Sequence, residues 1–423
     1  MVSGRRDETV GGAVPARVPG VAARASANEL LAEIDRVGAD RARGGYSRHV
    51  FTGAEGELRE WFRGAARARG LTVEVDRNAN LWAWFGAPGA DAVVTGSHLD
   101  SVPGGGAYDG PLGVVSALAA FDLLRAEGFV PRRPLAIVVF AEEEGGRFGV
   151  PCLGSRLLTG TLEPERALAL RDGDGTTFAE AARAAGHAPE HFGRDSETLG
   201  RIGTFVELHV EQGRGLIHLD APLAVGSNII PHGRWRFTFT GQGNHAGTTL
   251  MDDRHDPMLP AAQMITAVRE SAAAVREARA TVGRLVPTPG GTNVIASQVD
   301  VWLDARLPEP GNVHELVAEI TEKARAAAEL EGCAVAVREE SYEGTAAFDP
   351  ELRDRLRAML GNAPVLPTGA GHDAAVLARF VPTAMLYVRN PTGISHAPEE
   401  FAEPADIDHG TAELAHVLRT LAG

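Results

Sequence analysis

The stretch Asp91-Ala-Val-Val-Thr-Gly96-Ser-His98-Leu-Asp100-Ser-Val-Pro103 reads as a strand that ends on an imidazole and a carboxylate. Its first half is short, β-branched and closed by glycine, the pattern of a buried strand. His98 then stands at the strand's carboxyl end, facing the crevice where α/β sheets bind ligands. Side chains two apart in an extended segment share a side, so Asp100 is expected beside His98, its carboxylate fixing the ring tautomer.

Working outward, Gly104-Gly-Gly-Ala-Tyr108-Asp109-Gly110-Pro111 opens an apolar run of helical length. The ordinary reading of Asp109 is an N-cap, with Pro111 in the first turn. The glycine-rich approach also lets the backbone come close to something, and a cap carboxylate can still offer oxygen to a cation. A second strand, Pro134-Leu-Ala-Ile-Val-Val-Phe-Ala141, runs directly into Glu142-Glu143-Glu144. Adjacent carboxylates at a buried strand end are costly unless something cationic sits there; a solvated acidic loop is the alternative.

A third strand, Thr204 to Gly213, alternates strictly: Val206, Leu208 and Val210 on one face, Glu207, His209 and Glu211 on the other. A strand with one face in water would look the same, but His209 between two glutamates also reads as a ligand with its own orienting carboxylates. Ser395-His396 lies near the end of the sequence. His98, Asp109, Glu144, His209 and His396 together offer nitrogen and oxygen donors without thiolate, which suits two borderline divalent ions, zinc, manganese, cobalt or nickel, bridged by one carboxylate.

The ordered series His98-Leu-Asp100-Ser-Val-Pro-Gly-Gly, Tyr108-Asp109-Gly, Glu143-Glu144-Gly-Gly-Arg-Phe148, Glu207-Leu-His209-Val-Glu-Gln212-Gly, His245-Ala-Gly-Thr-Thr249, Thr292-Asn293-Val-Ile, Gly371-His372-Asp373 and Ser395-His396 resembles the hydantoinase/carbamoylase group of amidases. That group lies within the zinc-peptidase and aminoacylase superfamily and includes N-carbamoyl-L-amino-acid hydrolases, allantoate amidohydrolases and β-ureidopropionases. The resemblance runs from about Ser26 to the last residue.

It implies an α/β catalytic domain over residues 26–230 and 342–423, with a central mixed sheet flanked by helices. A ferredoxin-like lid and dimerisation domain would be inserted at residues 231–341. It further implies Asp109 as the bridging carboxylate, His98 and His209 on one ion, Glu144 and His396 on the other, and Glu143 as general base. His245 would help hold the oxyanion, often from the partner subunit of a homodimer, and Gln212 would touch substrate. Arg306 can grip a substrate carboxylate with its two-pronged guanidinium, and Asn293 can add an amide. Asp100, His372 and Asp373 are expected to support the metal ligands from behind.

Peptidase and aminoacylase relatives commonly carry an acidic residue in place of His209 and lack the following Glu-Gln-Gly, which favours hydrolysis of a small ureido substrate: an N-carbamoyl-L-amino acid, with allantoate the nearest competitor and N-acyl amino acids or dipeptides more distant. Leu250, Ala296-Ser297 and Arg389-Asn390 depart from the family pattern near substrate-facing motifs.

The middle of the chain has its own rhythm. Arg234 to Thr240 reads as a strand, Pro257 to Ala280 as a helix, Thr281 to Val286 and Val299 to Leu307 as strands, Asn312 to Glu331 as a helix and Cys333 to Arg338 as a strand. This β-α-β-β-α-β order is that of a split ferredoxin-like unit. Trp235, Phe237 and Phe239 are expected in its core.

A length of 423 residues with 44% hydrophobic content allows two domains with sizeable cores. A net charge of −15 argues against nucleic acid and anionic membranes as partners. No span is apolar for long enough to cross a bilayer. Cys152 and Cys333 fall in different expected domains and imply no disulfide framework, consistent with a cytoplasmic protein. Residues 1–25 read as a disordered leader, and Ser26-Ala-Asn-Glu29 as a capping box opening the first helix.

Overall fold

The structure, a computed structural model, describes residues 25–423; the expected leader therefore lies, but for its last residue, outside the described residues. Ser26 opens the helix Ala27–Glu33 with a complete capping box, its hydroxyl accepting from the Glu29 amide while the Glu29 carboxylate accepts from the Ser26 amide at 2.7 Å.

Apolar, β-branched runs assemble into a nine-stranded mixed sheet. Its strands are β1 (Thr72–Val75), β2 (Leu81–Phe85), β3 (Ala92–His98), β4 (Leu135–Phe140), β5 (Ile202–Val210) and β6 (Leu223–Ile229). It is completed by β13 (Ala346–Ala347), β14 (Val365–Thr368) and β15 (Thr383–Val388), in the order β1-β2-β4-β3-β5-β15-β6-β13 with β14 also on β6. The central four, β4, β3, β5 and β15, are parallel. Being covered on both faces, they are buried along nearly their whole length, and β4 and β15 are almost wholly apolar rather than alternating. β3 and β5 carry polar residues that are also fully buried, Thr95, Ser97 and His98 on one and Glu207 and His209 on the other: these look into protein, not water. The helices Pro111–Ala126 and Pro404–Ala422 pack against each other over one face of the sheet.

The chain between β6 and β13 builds a second, four-stranded antiparallel sheet from β7 (His232–Thr240), β9 (Arg279–Thr288), β11 (Gln298–Arg306) and β12 (Ala334–Glu343). Their order across the sheet is β12-β7-β11-β9. The helices Met258–Ala274 and Val313–Leu330 complete the order strand, helix, strand, strand, helix, strand. Trp235, Phe237 and Phe239 are buried in its core against both helices, as their alternation indicates. The first helix ends six residues earlier than its alanine content suggests, because the backbone turns through Glu277 at φ 62° before entering β9. Two short segments, β8 (Asn244–His245) and β10 (Val294–Ile295), pair as a separate ribbon. Among the described residues no helix is long and apolar enough to cross a membrane.

Candidate metal centre

Since the four central strands are parallel, their carboxyl ends open on one crevice. His98 is the last residue of β3, Glu142–Glu144 follow β4 after a single alanine, His209 is the penultimate residue of β5, and β15 leads into the loop bearing His396. Asp109 reaches the same point just ahead of the helix Pro111–Ala126. It is not that helix's N-cap. Gly110 is, at φ 85°, where a side chain would strike the His98 ring.

Five side chains thereby form two groups that share Asp109. Its Oδ1 faces His209 Nε2 at 3.3 Å and His98 Nε2 at 3.6 Å. Its Oδ2 faces His396 Nε2 at 3.3 Å, which in turn lies 3.3 Å from Glu144 Oε2. These separations match donors sharing one tetrahedral ion, roughly 3.4 Å apart for bonds of about 2.1 Å.

The ring orientations carry the same message. His98 Nδ1 lies 3.0 Å from the Asp100 carbonyl, and His209 Nδ1 lies 2.9 Å from the Val210 carbonyl. A carbonyl only accepts, so each Nδ1 holds a hydrogen and each neutral ring turns the Nε2 lone pair toward Asp109. Both Nε2 atoms are buried without a hydrogen-bond partner. A lone pair facing a carboxylate is repulsive unless a positive charge stands between them. A proton is one candidate: burial opposes charge on His98, yet Glu143, Asp100 and Asp109 lift its pKa well above the ordinary value. A divalent ion satisfies both rings and the carboxylate at once, and the donor set fits it. His396, half exposed, is raised to about 9 by its contact with Asp109, against the opposing effect of burial.

The orienting groups differ from those expected. The Asp100 carboxylate does lie beside His98, with Oδ1 3.6 Å from Nδ1, but the closer Asp100 carbonyl, at 3.0 Å, is the hydrogen-bond acceptor; the carboxylate oxygens accept the amides of Glu143 at 3.2 Å and Glu144 at 3.1 Å. Nor do the glutamates flanking His209 orient it: Glu207 accepts from Ser97 at 2.7 Å, and Glu211 from the Gly215 and Leu216 amides.

The three consecutive glutamates divide by direction. Glu144 joins the metal group. Glu142, at φ 52°, turns inward to accept the Arg147 and Phe148 amides, and burial followed by Asp100 raises it to about 8. Glu143 stays in the cleft with Oε2 3.6 Å from His98 Nε2, and the Cys152 thiol donates weakly to its other oxygen at 3.6 Å. Burial raises its pKa well above the ordinary value, the nearby acids Asp373, Glu144 and Asp100 adding to the effect.

The remaining expected residues divide: Gln212, His372 and Arg306 line the same cleft as the metal groups, and His245 and Asn293 do not. Gln212 lines the cleft, but its amide donates to Asp109 Oδ2 at 2.8 Å and Ser395 Oγ at 3.1 Å, so here it holds the carboxylate. His372 lines the cleft with its ring 4.5 Å from His209, its pKa pushed well down by burial and by that ring. Asp373 accepts the Ser155 hydroxyl. Arg306 lines the cleft too; Asp304 holds it at 2.8 and 3.1 Å, and it donates to the Gly369 carbonyl. His245 and Asn293 come together on the exposed β8–β10 ribbon, where the Ala246 amide donates to the Asn293 carbonyl, and neither lines the cleft.

Glu400 escaped the sequence reading. Buried, it accepts the Tyr108 and Asp109 amides on Oε1 at 3.0 and 2.9 Å and the Ser395 hydroxyl on Oε2 at 3.1 Å. It ties the Asp109 and His396 loops together. Gly106 makes room for it, since a Cβ there would collide with the Glu400 carboxylate. The only hint was a second carboxylate four residues beyond His396.

Two carboxylate-linked groups of nitrogen and oxygen donors, beside a buried glutamate that belongs to neither, are the equipment of a metal-dependent hydrolase. Residues 94–420 match Peptidase family M20/M25/M40, and the chain belongs to that family. It is 35% identical to an N-carbamoyl-L-amino acid amidohydrolase of Geobacillus stearothermophilus, over 93% of this chain and 97% of that one. It is 34% identical to a ureidoglycolate hydrolase of Arabidopsis thaliana, over 89% and 82%. A crystal structure of a hydantoinase/carbamoylase family amidase from Burkholderia vietnamiensis superposes with a TM-score of 0.85 at 31% identity, covering 94% of this chain and 96% of that one. The chain is accordingly a hydrolase of carbon–nitrogen bonds other than peptide bonds.

Proposed function

We propose that this protein is a binuclear metal amidohydrolase that cleaves the terminal ureido C–N bond of an N-carbamoyl-L-amino acid, releasing the L-amino acid, carbon dioxide and ammonia. The observation that carries the reading is the sharing of Asp109 between the His98/His209 and Glu144/His396 groups, with Glu143 beside them and in neither.

Divalent ions held by these five residues would supply Lewis acidity, lowering the pKa of water and polarising the ureido carbonyl. Glu143, buried in the cleft beside His98 and in neither donor group, accepts the proton of the attacking water and returns it to the departing nitrogen. Gln212, Ser395 and Glu400 hold Asp109 in place. Arg306, already aligned by Asp304, binds the substrate carboxylate in a bidentate manner.

His245 and Asn293 stand outside the cleft of their own chain, with Leu250 and Met251 exposed nearby at 72% and 71%. This supports a homodimer in which the smaller unit, residues 231–341, acts as lid and dimerisation module and delivers His245 to the oxyanion of the partner's site. Both cysteines are free, which supports a cytoplasmic setting.

The test is product release by manganese- or cobalt-loaded protein from N-carbamoyl-L-amino acids, allantoate and ureidoglycolate, with N-acetyl amino acids and dipeptides scored for free amine. Chelator-sensitive ammonia from a carbamoyl amino acid establishes the reading. Ammonia from allantoate or ureidoglycolate alone moves the substrate, and free amine only from acyl or peptidyl substrates refutes the ureido chemistry.

A further inference from the structure

The cleft, about 390 Å³, continues past the metal groups between the segment 149–166 and the smaller sheet. In a chain of net charge −15 its outer part carries four arginines: Arg156, Arg166, Arg234 and Arg306. Three are engaged. Arg306 and Arg234 share Asp304 at 2.8 and 3.6 Å, and Arg156 meets Glu343 at 2.6 Å.

Arg166, on the short helix Pro164–Leu168, makes no side-chain hydrogen bond or ion pair among the described residues, although it faces the same cleft. Val150 and Pro151 line the cleft from the same segment and offer an apolar surface. An uncommitted guanidinium and an apolar surface form an amphipathic lining: methylenes on Val150 and Pro151, an anion on Arg166.

We propose that this lining is a second anion-binding subsite, which takes a carboxylate borne on the substrate's side chain, so that the preferred substrates are dicarboxylic N-carbamoyl-L-amino acids. Arg306 holds the α-carboxylate and Arg166 the distal one. The inference rests on the ureido reading above for its substrate class, but the subsite itself depends only on the cleft. A guanidinium is suited to the role because it can present two parallel N–H donors to a carboxylate. Glu340, on β12, also faces the cleft, and its charge opposes a distal carboxylate.

The test compares kcat/KM for N-carbamoyl-L-glutamate and its near-isosteric neutral counterpart N-carbamoyl-L-glutamine, following release of the α-amine, in the metal-loaded wild type and in R166Q, R166K and E340Q. The expected acidic-to-neutral ratio is about tenfold in the wild type, near unity in R166Q, intermediate in R166K and raised in E340Q, and it falls with added salt. A wild type that favours the neutral substrate, or an R166Q ratio equal to the wild type's, overturns the subsite. If neither ureido compound is cleaved but N-acetyl amino acids are, the ureido reading fails. The same ratio is then measured on N-acetyl-L-glutamate and N-acetyl-L-glutamine, which judges the subsite separately. Calorimetric binding of each pair to E143Q reads the ratio without turnover.

Discussion

Replacing Glu400 isolates the contribution of a residue that holds the bridging ligand without touching the ions. Its carboxylate accepts three hydrogen bonds, from the Tyr108 and Asp109 amides and the Ser395 hydroxyl, at 2.9 to 3.1 Å. A bond to an ionised acceptor contributes about 1.5–3 kcal/mol, and a neutral one about 0.5–1.5. Glu400→Gln keeps an oxygen for the two amides but loses the charge, so roughly 2 kcal/mol of positioning energy disappears. Glu400→Ala leaves both amides unpaired, at about 1–3 kcal/mol each. Partners behind a metal ligand typically set about 10–100-fold in affinity. Glu400→Gln should therefore bind metal about tenfold more weakly, and Glu400→Ala about a hundredfold more weakly with a lower melting temperature. Chelator-competition titration with elemental analysis measures the first effect, and calorimetric unfolding the second. A Glu400→Gln protein that retains both ions within about twofold of the wild-type affinity would refute the claim that this carboxylate places Asp109.

Glu143→Gln should lower kcat by about 10²–10⁴ while metal content stays at the wild-type level, since Glu143 belongs to neither donor group; loss of an ion in this variant would reassign the residue. Removing metal with chelator should abolish turnover and lower stability by about 3 kcal/mol per ion, about 5 kcal/mol for two, when the ions had been present at about a hundred times their dissociation constant, read as a drop in unfolding temperature. Mixing inactive Glu143→Gln and His245→Ala proteins should regain about a quarter of wild-type activity after subunit exchange if His245 serves the partner's site, and none if it serves its own. His187, lowered to about 4 by burial with Arg59 and Arg63 adding, binds its proton less readily folded than unfolded. Its contribution is complete above about pH 6.5 and is lost as pH falls toward 4, on the order of 2 kcal/mol after allowance for partial exposure. His187→Gln should flatten that part of the stability profile, and an unchanged slope would exclude the residue as its source.

The buried strands and the smaller sheet were legible because each depends on local pattern; that His98, Asp109, Glu144, His209 and His396 come together was legible from the ordered series of motifs, since the local reading of Asp109 alone was a helix cap. Apolar runs must bury both faces, Trp235, Phe237 and Phe239 can only alternate inward, and a histidine closing such a run must emerge at the crevice. What was not legible depends on contacts across the sequence. Glu400 lies 291 residues from the Asp109 amide it holds, and no periodicity connects them. Gln212 reads as a substrate contact by its motif, yet in the structure its amide donates to Asp109. The sharing of Asp304 by Arg234 and Arg306 follows from the antiparallel register of β7 and β11, which places Arg234 opposite Asp304.

The orientation of the histidines shows why strand logic stops at the crevice. Within β3 and β5 the backbone carbonyls are engaged by neighbouring strands, so only a side chain could orient an imidazole there. At the carboxyl ends that demand is released, and the Asp100 and Val210 carbonyls accept from Nδ1 of the two rings. The carboxylates expected to orient them are thereby available for other tasks, Asp100 for the Glu143 and Glu144 amides and Glu207 for Ser97. Glu142, Cys152 and His396 all adopt left-handed backbone conformations around the same crevice, a cost that the hydrogen-bonded loops sustain. Each ring is thus oriented by a main-chain carbonyl at Nδ1, which leaves Nε2 facing Asp109 in both cases.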